Sequence, residues 1–423
     1  MATMQPPGVT NHVARASRSK RPPLDLETYK KYLGKSLDLD HAMDLLCSLE
    51  PDVIVHGHSA DSFVVGISGA LIAYDEELLR WLNPGVFNLP ARTGPVPTLP
   101  QVAAQARAAI PERPVTFITA ASAPTEPWRI WYAWPPGKRG GSSRGELRYI
   151  DPATGTLLPE ARGQRFFATV KLLHRTLLAD EVGKQIVGAS TIALVVMALS
   201  GLYLRWPRRV TNWRSWLVIR WSRSGRIRWW DVHTVIGTMV LPLYLLAAFS
   251  GLYWAYDWYR EGLQHMAGMP VAAKIKPMEA SGPRKPLDGA ALERTWNAFL
   301  ANASNYTSAT LRIDDARTGK VDINWLPLNA PHDRAFNRLT LDAATGAVLR
   351  QESFTDKPPM QRLLAGMLPL HNGRYFGPVG IVLVLIGASM LPVFAITGWW
   401  LYLDRRKRAQ PQRKHTSAST RPC

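Results

Sequence analysis

Three histidines carry the chemistry this chain offers. His174 stands in LLHRTLL, His371 in LPLHNGRYFG and His233 in DVHTVIG. Each lies beside a long apolar run, where an ionisable group is costly and is kept for function. A neutral imidazole is a good metal ligand. Two of them meeting from related helices can hold a haem iron through both axial positions, as in b-type cytochromes. A lone histidine at a helix end would ordinarily face water and headgroups. A zinc site is disfavoured, because no neighbouring Cys or HxxxH cluster completes four ligands.

The pair gains weight because the chain repeats itself around it. SGALIAYD at 68–75 returns as SGLYWAYD at 250–257, and DPATGTLL at 151–158 as DAATGAVL at 342–349. SGLYLRWPRR at 200–209 returns as TGWWLYLDRR at 397–406. The offsets are 182, 191 and 197 residues, in constant order, which is an internal duplication and not a short-period solenoid. Within it His174 and His371 are equivalents. Gly183, Gly188, Gly377 and Gly380 lie close enough in sequence to let a flat porphyrin approach the backbone.

The elements that must position these residues are helices of membrane-spanning length. Residues 185–204, 234–255 and 376–403 contain no charged side chain. At 1.5 Å per residue each crosses a bilayer core of about 30 Å. A shorter apolar run, FVVGISGALIAY at 63–74, is interrupted upstream by Asp61, His58 and His56. Arg205, Arg208, Arg209, Arg214, Arg220, Arg223, Arg226 and Arg228 fill one connection, and Arg405, Arg406, Lys407 and Arg408 follow the last run. The positive-inside rule places both stretches in the cytoplasm, and six tryptophans between 206 and 230 fit an interfacial belt. The net charge of +19 therefore needs no nucleic-acid partner. Cys47 and Cys423 fall on the cytoplasmic side, so no periplasmic disulfide is expected. The first 30 residues hold no apolar h-region, so no cleavable signal peptide is expected.

Between the apolar runs lie two soluble segments of similar pattern. PTLPQVAAQARAAIP precedes VTFITA, WRIWYAW and ELRYI, and LDGAALERTWNAFLANA precedes ATLRIDD, KVDINWL and FNRLTLD. Each reads as a helix followed by strands, with DxATG as a hairpin turn that uses the φ freedom of Gly155 and Gly346. The expected division is a cytoplasmic segment at 1–61, a remnant of a first membrane helix at 62–75 and an α+β domain at 76–183. A second helix at 184–206, a basic loop at 207–232 and a third helix at 233–256 follow. A second α+β domain at 257–374, a fourth helix at 375–403 and a basic tail at 404–423 complete it. The fold class is an α-helical membrane protein of four helices arranged as a duplicated pair, the first degenerate, with two periplasmic α+β domains.

HRTL at 174–177, SGLYLRWPRR, DVHTVIG at 231–237, LHNGRYFG at 370–377 and TGWWLYLDRR together resemble the PepSY-associated transmembrane family. The resemblance covers about residues 63–408, and both DxATG segments look like the end of a PepSY module. It implies a bacterial inner-membrane protein, multi-pass, with both termini cytoplasmic. Haem-containing ferric-siderophore reductases are among the relatives it points to. It adds support to haem b at His174 and His371, with His233 as a ligand of a separate inner haem, so one or two haems in all. The family normally has a full apolar helix where this chain has 63–74. The counterpart of His233, 17 residues before Ser68, is Pro51.

The first functional expectation is an electron conduit, a possible transmembrane ferric reductase for iron uptake. Its partners are membrane lipid, a cytoplasmic or quinol electron donor, and periplasmic ferric siderophore. No flavin or nicotinamide fingerprint is present, since GKRGGSSRG at 137–145 is not followed by a helix pattern. The alternative is a non-catalytic scaffold or sensor that binds a periplasmic partner. A transporter ranks third, because no charged or broken helix sits at mid-membrane.

Overall fold

The computed structural model describes residues 63–91, 97–137, 142–207, 209–269, 286–303 and 305–409. The expectations placed on residues 1–61 and 410–423, including Cys47, Pro51 and Cys423, lie outside them.

In chain order the elements are α1 (Phe63–Ala73), α2 (Asp75–Leu82), α3 (Leu99–Ala109), β1 (Val115–Ala121), β2 (Trp128–Tyr132) and β3 (Glu146–Ile150). Then come α4 (Gln164–Thr176), α5 (Asp180–Arg205), α6 (Gly225–Ala255) and α7 (Gly289–Asn302). Strands β4 (Tyr306–Arg312), β5 (Lys320–Pro327), β6 (Asn337–Asp342) and β7 (Val348–Glu352) lead to α8 (Met367–His371) and α9 (Gly377–Ala409). Short helical turns fill several of the connections.

Among the described residues, three helical stretches are long and apolar enough to cross a membrane: Asp180–Arg205, Gly225–Ala255 and Arg374–Asp404. At 26 residues the first of them, α5, runs about 39 Å. Their outward faces carry exposed Val196, Leu199, Leu204, Met239, Phe249, Val379 and Ile396. Apolar surface on that scale has a natural solvent only in lipid. Helix α6 starts at Gly225, earlier than the apolar run, because Ser224 turns the chain into the helix from an extended backbone and RIRWWD favours continuation. Asp231 in that first stretch is held by Arg220 through bonds of 2.6 and 2.8 Å. Helix α9 likewise continues into the arginines, which are good helix formers.

The described part of helix α1 is Phe63–Ala73. It packs closely on α9. A Cβ on Gly66 would come within 2.8 Å of the Ala388 carbonyl and 2.9 Å of Pro392. Small residues let backbones approach where no hydrophobic effect drives helices together.

The two α+β segments do not keep separate cores. Their strands form one antiparallel seven-stranded sheet in the order β3-β2-β1-β4-β5-β6-β7. The seam runs between β1 and β4, with Ile118 opposite Leu311 and Thr119 opposite Thr310, whose hydroxyls meet at 2.6 Å. Apart, the three-stranded and four-stranded units would expose β1 and β4 as edges and own small cores; joining them pairs those two edges and pools the cores. Helices α3 and α7 cover that shared core. Thr98 and Gln101 form a capping box at the start of α3, and Asp288 caps α7 by accepting from Ala291 N at 2.6 Å. Leu99, Val102, Leu292 and Phe299 are fully buried against Ile118, Ile130, Leu311 and Ile323. Both DxATG segments are turns: Gly155 and Gly346, at φ of 70° and 75°, donate to the carbonyls of Asp151 and Asp342 at 2.8 Å.

Because Phe299 is fully buried in a core cluster that draws on strands from both halves of the chain, Phe299→Ala should destabilise the whole sheet domain by about 3–5 kcal/mol. Denaturant unfolding in detergent, followed by tryptophan fluorescence, should show one cooperative transition moved to lower denaturant. Two independent transitions would contradict the shared core.

Candidate functional site

His174 occupies the last turn of α4, which anchors itself through buried Phe167 and Val170. Lys171, one turn earlier, forms an ion pair with buried Asp75, the last residue of SGALIAYD. The chain then reverses sharply into α5, with Leu177, Leu178 and Asp180 all at positive φ. Such backbone costs energy in residues other than glycine and clusters at functional sites. His371 ends α8, and the chain reverses into α9 with Gly373 and Gly377 at positive φ. At the common offset of 197, Asp180 (φ 45°) matches Gly377 (φ 65°). A Cβ on Gly183 would strike the Thr176 carbonyl, and one on Gly380 the Gly373 carbonyl 2.2 Å away. These glycines therefore seat each helix against the turn behind its histidine. A Cβ on Gly188 would come within 2.8 Å of the Tyr256 ring. The expectation that Gly183, Gly188 and Gly380 admit a flat ring is corrected: their close neighbours are protein.

The glycines that meet the imidazoles are others. A Cβ on Gly69 would lie 3.2 Å from His174 Cε1, and one on Gly251 3.2 Å from His371 Cε1. Their neighbours Ser68 and Ser250 hold the rings: each Oγ lies 3.1 Å from Nδ1 of its histidine. The proton assignment follows by counting. Ser68 Oγ gives its one proton to the Val64 carbonyl at 2.6 Å, and Ser250 Oγ gives its own to the Leu246 carbonyl at 2.6 Å. The carbonyls of Val65 and Ala247, at 3.2 and 3.0 Å from Nδ1, can only accept. Each Nδ1 must therefore be the protonated nitrogen, which leaves each Nε2 with a bare lone pair. That is the tautomer a metal needs, fixed by outer hydrogen bonds.

The two ring centroids lie 6.2 Å apart in an edge-to-face arrangement inclined by 61°. With metal–imidazole bonds of about 2.0–2.1 Å and a further 1.1 Å or so from Nε2 to ring centre, two rings on one metal stand roughly 6.3 Å apart. The separation fits a shared ion. Among the described residues no group of three His, Cys, Asp or Glu side chains gathers as a metal site. An ion held by this pair must bring its remaining ligands with it, as iron does in a porphyrin. The donor set, two neutral imidazoles in an apolar setting beside Trp254, fits haem.

His233 stands apart. Seventeen residues separate it from Ser250 on the same helix, about 25 Å of rise. Its Nδ1 lies 2.8 Å from Thr397 Oγ1, whose proton goes to the Val393 carbonyl at 2.8 Å. With the hydroxyl proton on that carbonyl, Nδ1 is the donor and Nε2 is bare, an assignment that here rests on Thr397 alone. Gly398 follows Thr397 as Gly251 follows Ser250, and its Cβ would lie 3.7 Å from His233 Cε1.

The sequence reading found all three imidazoles and missed what holds them: Ser68–Gly69, Ser250–Gly251 and Thr397–Gly398. The signal was available. These pairs open the repeated segments SGALIAYD, SGLYWAYD and TGWWLYLDRR.

A family model described as the PepSY-associated TM region matches residues 62–405. An uncharacterized protein of Pseudomonas aeruginosa is 27% identical over 266 residues, which is 57% of this chain and 64% of the relative. The chain thus spans less than two thirds of the length of that curated relative.

Burial, together with the facing His371, pushes the His174 imidazole from its ordinary 6.5 down to about 4, and burial lowers His371 as well. Between those two values the unfolded chain binds a proton that the folded protein refuses, so stability rises with pH across that window. The metal-free protein should therefore lose melting temperature as pH falls from 6.5 towards about 4. His174→Asn should flatten that slope. An unchanged slope would show that His174 is not held neutral.

Proposed function

The chain belongs to the PepSY-associated transmembrane family, and on that premise we propose that it is an inner-membrane b-type haem protein. It passes electrons across the membrane to a periplasmic acceptor, ferric iron in a siderophore. The observation that carries the reading is the His174–His371 pair: two imidazoles of one tautomer, 6.2 Å apart, each with Nε2 free. In this reading the arginine-rich connection between α5 and α6 and the tail after α9 lie in the cytoplasm. The seven-stranded sheet and the histidine pair then lie on the periplasmic side, and α1, α5, α6 and α9 are the four helices of a duplicated pair.

Haem bound between the two imidazoles supplies a one-electron Fe(III)/Fe(II) couple. The residues supply the rest. Ser68 and Ser250 hold each ring in the ligating tautomer, and the Val65 and Ala247 carbonyls draw on the same Nδ1–H. Hydrogen bonding at Nδ1 makes Nε2 a stronger donor and so tunes the couple. Gly69 and Gly251 let the rings lie against α1 and α6. The pair lies on the same side as the sheet domain, where a periplasmic ferric chelate would arrive. The electron donor is a quinol or a cytoplasmic protein.

Each of His174→Ala and His371→Ala should remove the same haem, about one per chain, because each supplies one axial ligand of one iron. Reduced-minus-oxidised spectra of the purified protein, with haem and protein quantified together, make the check. In right-side-out vesicles the reduced band should be discharged by an added ferric siderophore. Bands and midpoint potentials unchanged in both variants would overturn the haem assignment. A colourless protein from haem-replete cells would favour the scaffold instead.

A further inference from the structure

The turn-rich segment GKRGGSSRG at 137–145 brings Arg144 to the side of the sheet opposite α3 and α7. Along β2, Trp128, Ile130 and Tyr132 enter the shared core, so Arg129 and Trp131 between them point to the other face. Phe117, next to core Ile118 on β1, shares that face. The Arg144 guanidinium carbon lies 5.3 Å from the Trp131 ring centre and 5.4 Å from that of Phe117. Contact with two rings holds the guanidinium in place while its fork of donors stays available.

Like charge gathers here. The packing around the Arg144 guanidinium, with the charges of Arg334 and Arg129, holds it below the usual arginine range. Arg334 comes from the β5–β6 connection, so three elements bring cations to one place. Elsewhere in the domain acids answer the arginines, as in Arg113–Glu146, Arg312–Asp314 and Arg350–Glu352. Among the described residues no carboxylate bonds Arg129, Arg144 or Arg334.

This face is fastened to the elements that carry the histidine pair. The Arg334 N–H donates to Nδ1 of buried His332 at 3.2 Å, and that ring packs on Tyr375, 5.4 Å away and four residues after His371. On the other side Arg129 stands opposite Tyr149, whose ring meets Phe87 at 4.9 Å, just beyond α2. Helix α2 follows the segment that holds Ser68, and its Glu77 accepts from Arg374 at 3.1 Å.

We propose that Arg129, Arg144 and Arg334 bind the ferric chelate, and that it is an anionic one whose iron is held by carboxylates, as in ferric citrate. Guanidinium forks match carboxylates two bonds at a time. An anion relieves the repulsion among the three cations, and a basic face raises its rate of arrival. The proposal rests on the haem reading of the His174–His371 pair for what becomes of the iron; binding itself needs no electron.

The test uses the full-length protein purified in detergent and titrated calorimetrically with gallium(III) citrate, a redox-inert stand-in for the ferric complex. Saturable binding is expected. Arg144→Gln and Arg334→Gln should each weaken it by about tenfold or more. Arg350→Gln, which removes the same charge from edge strand β7, should leave it unchanged. The cationic gallium complex of desferrioxamine B should not compete. An unchanged melting temperature certifies the fold of each variant. Binding that survives both Arg144→Gln and Arg334→Gln, or that falls equally in Arg350→Gln, would overturn the site. Metal-free citrate or the cationic complex bound as tightly would overturn an anionic chelate as its ligand. A haem protein that ignores gallium citrate would overturn the site alone. A protein without haem that binds it would uphold the site and overturn the electron-transfer reading.

Discussion

A serine hydroxyl has one proton, and where it goes decides what the imidazole beside it can do. In Ser68 and Ser250 it goes to a carbonyl one turn back at 2.6 Å, so the oxygen can only accept from the histidine. The rest of the site follows. The ring must lie close on the helix, which favours glycine at 69 and 251, where a Cβ would come within 3.2 Å of Cε1. The histidine must come from a separate element that approaches the helix from outside. That element must then turn at once into the next span, which the positive-φ residues Asp180 and Gly377 and the tight glycines Gly183 and Gly380 permit. The Asp75–Lys171 ion pair and the contacts of Arg374 with Glu76 and Glu77 pin α2, and through it α1, to the elements that carry the two histidines.

A site made of two like imidazoles suits a chain whose sequence repeats. Each copy of the segment delivers one imidazole with one serine, and the two meet across 6.2 Å. The copies also meet at the β1–β4 seam, where Thr119 faces Thr310. Trp128 against Trp296 and Arg107 to the Leu287 carbonyl tie the same halves inside the sheet domain. Two separate contacts between the same halves fix their relative rotation better than either alone. Neutral imidazoles fit the setting: burial depresses His174 to about 4, so at neutral pH the pair carries no mutual repulsion.

Much of this was legible in the residues, for local reasons. Charge-free runs marked the spans, alternation marked the strands, and DxATG marked both turns. His174 and His371 were paired through the repeat alone. What escaped were the non-local facts. Nothing near Thr119 in sequence announces Thr310, so two α+β segments read as two domains where the backbone builds one sheet. Glycine in a small-residue run reads alike whether it faces a ring or a carbonyl, so Gly183 and Gly380 were credited with the role that belongs to Gly69 and Gly251. Helix α6 begins just after Ser224, and charge-based boundaries cannot see a helix start that lies nine residues before the charge-free run.

What the His174 side needs from α1 is Ser68, Gly69 and the carbonyls of Val64 and Val65, all within the described residues Phe63–Ala73. A Cβ on Gly66 would press on Pro392, so that piece sits close against α9. Seventeen residues before Ser250 the chain has His233, on the same helix, whereas seventeen before Ser68 the sequence has Pro51. Among the described residues the repeat therefore brings two imidazoles together on the sheet side, each on its serine and glycine, and sets one, His233 on Thr397–Gly398, at the far end of the spans.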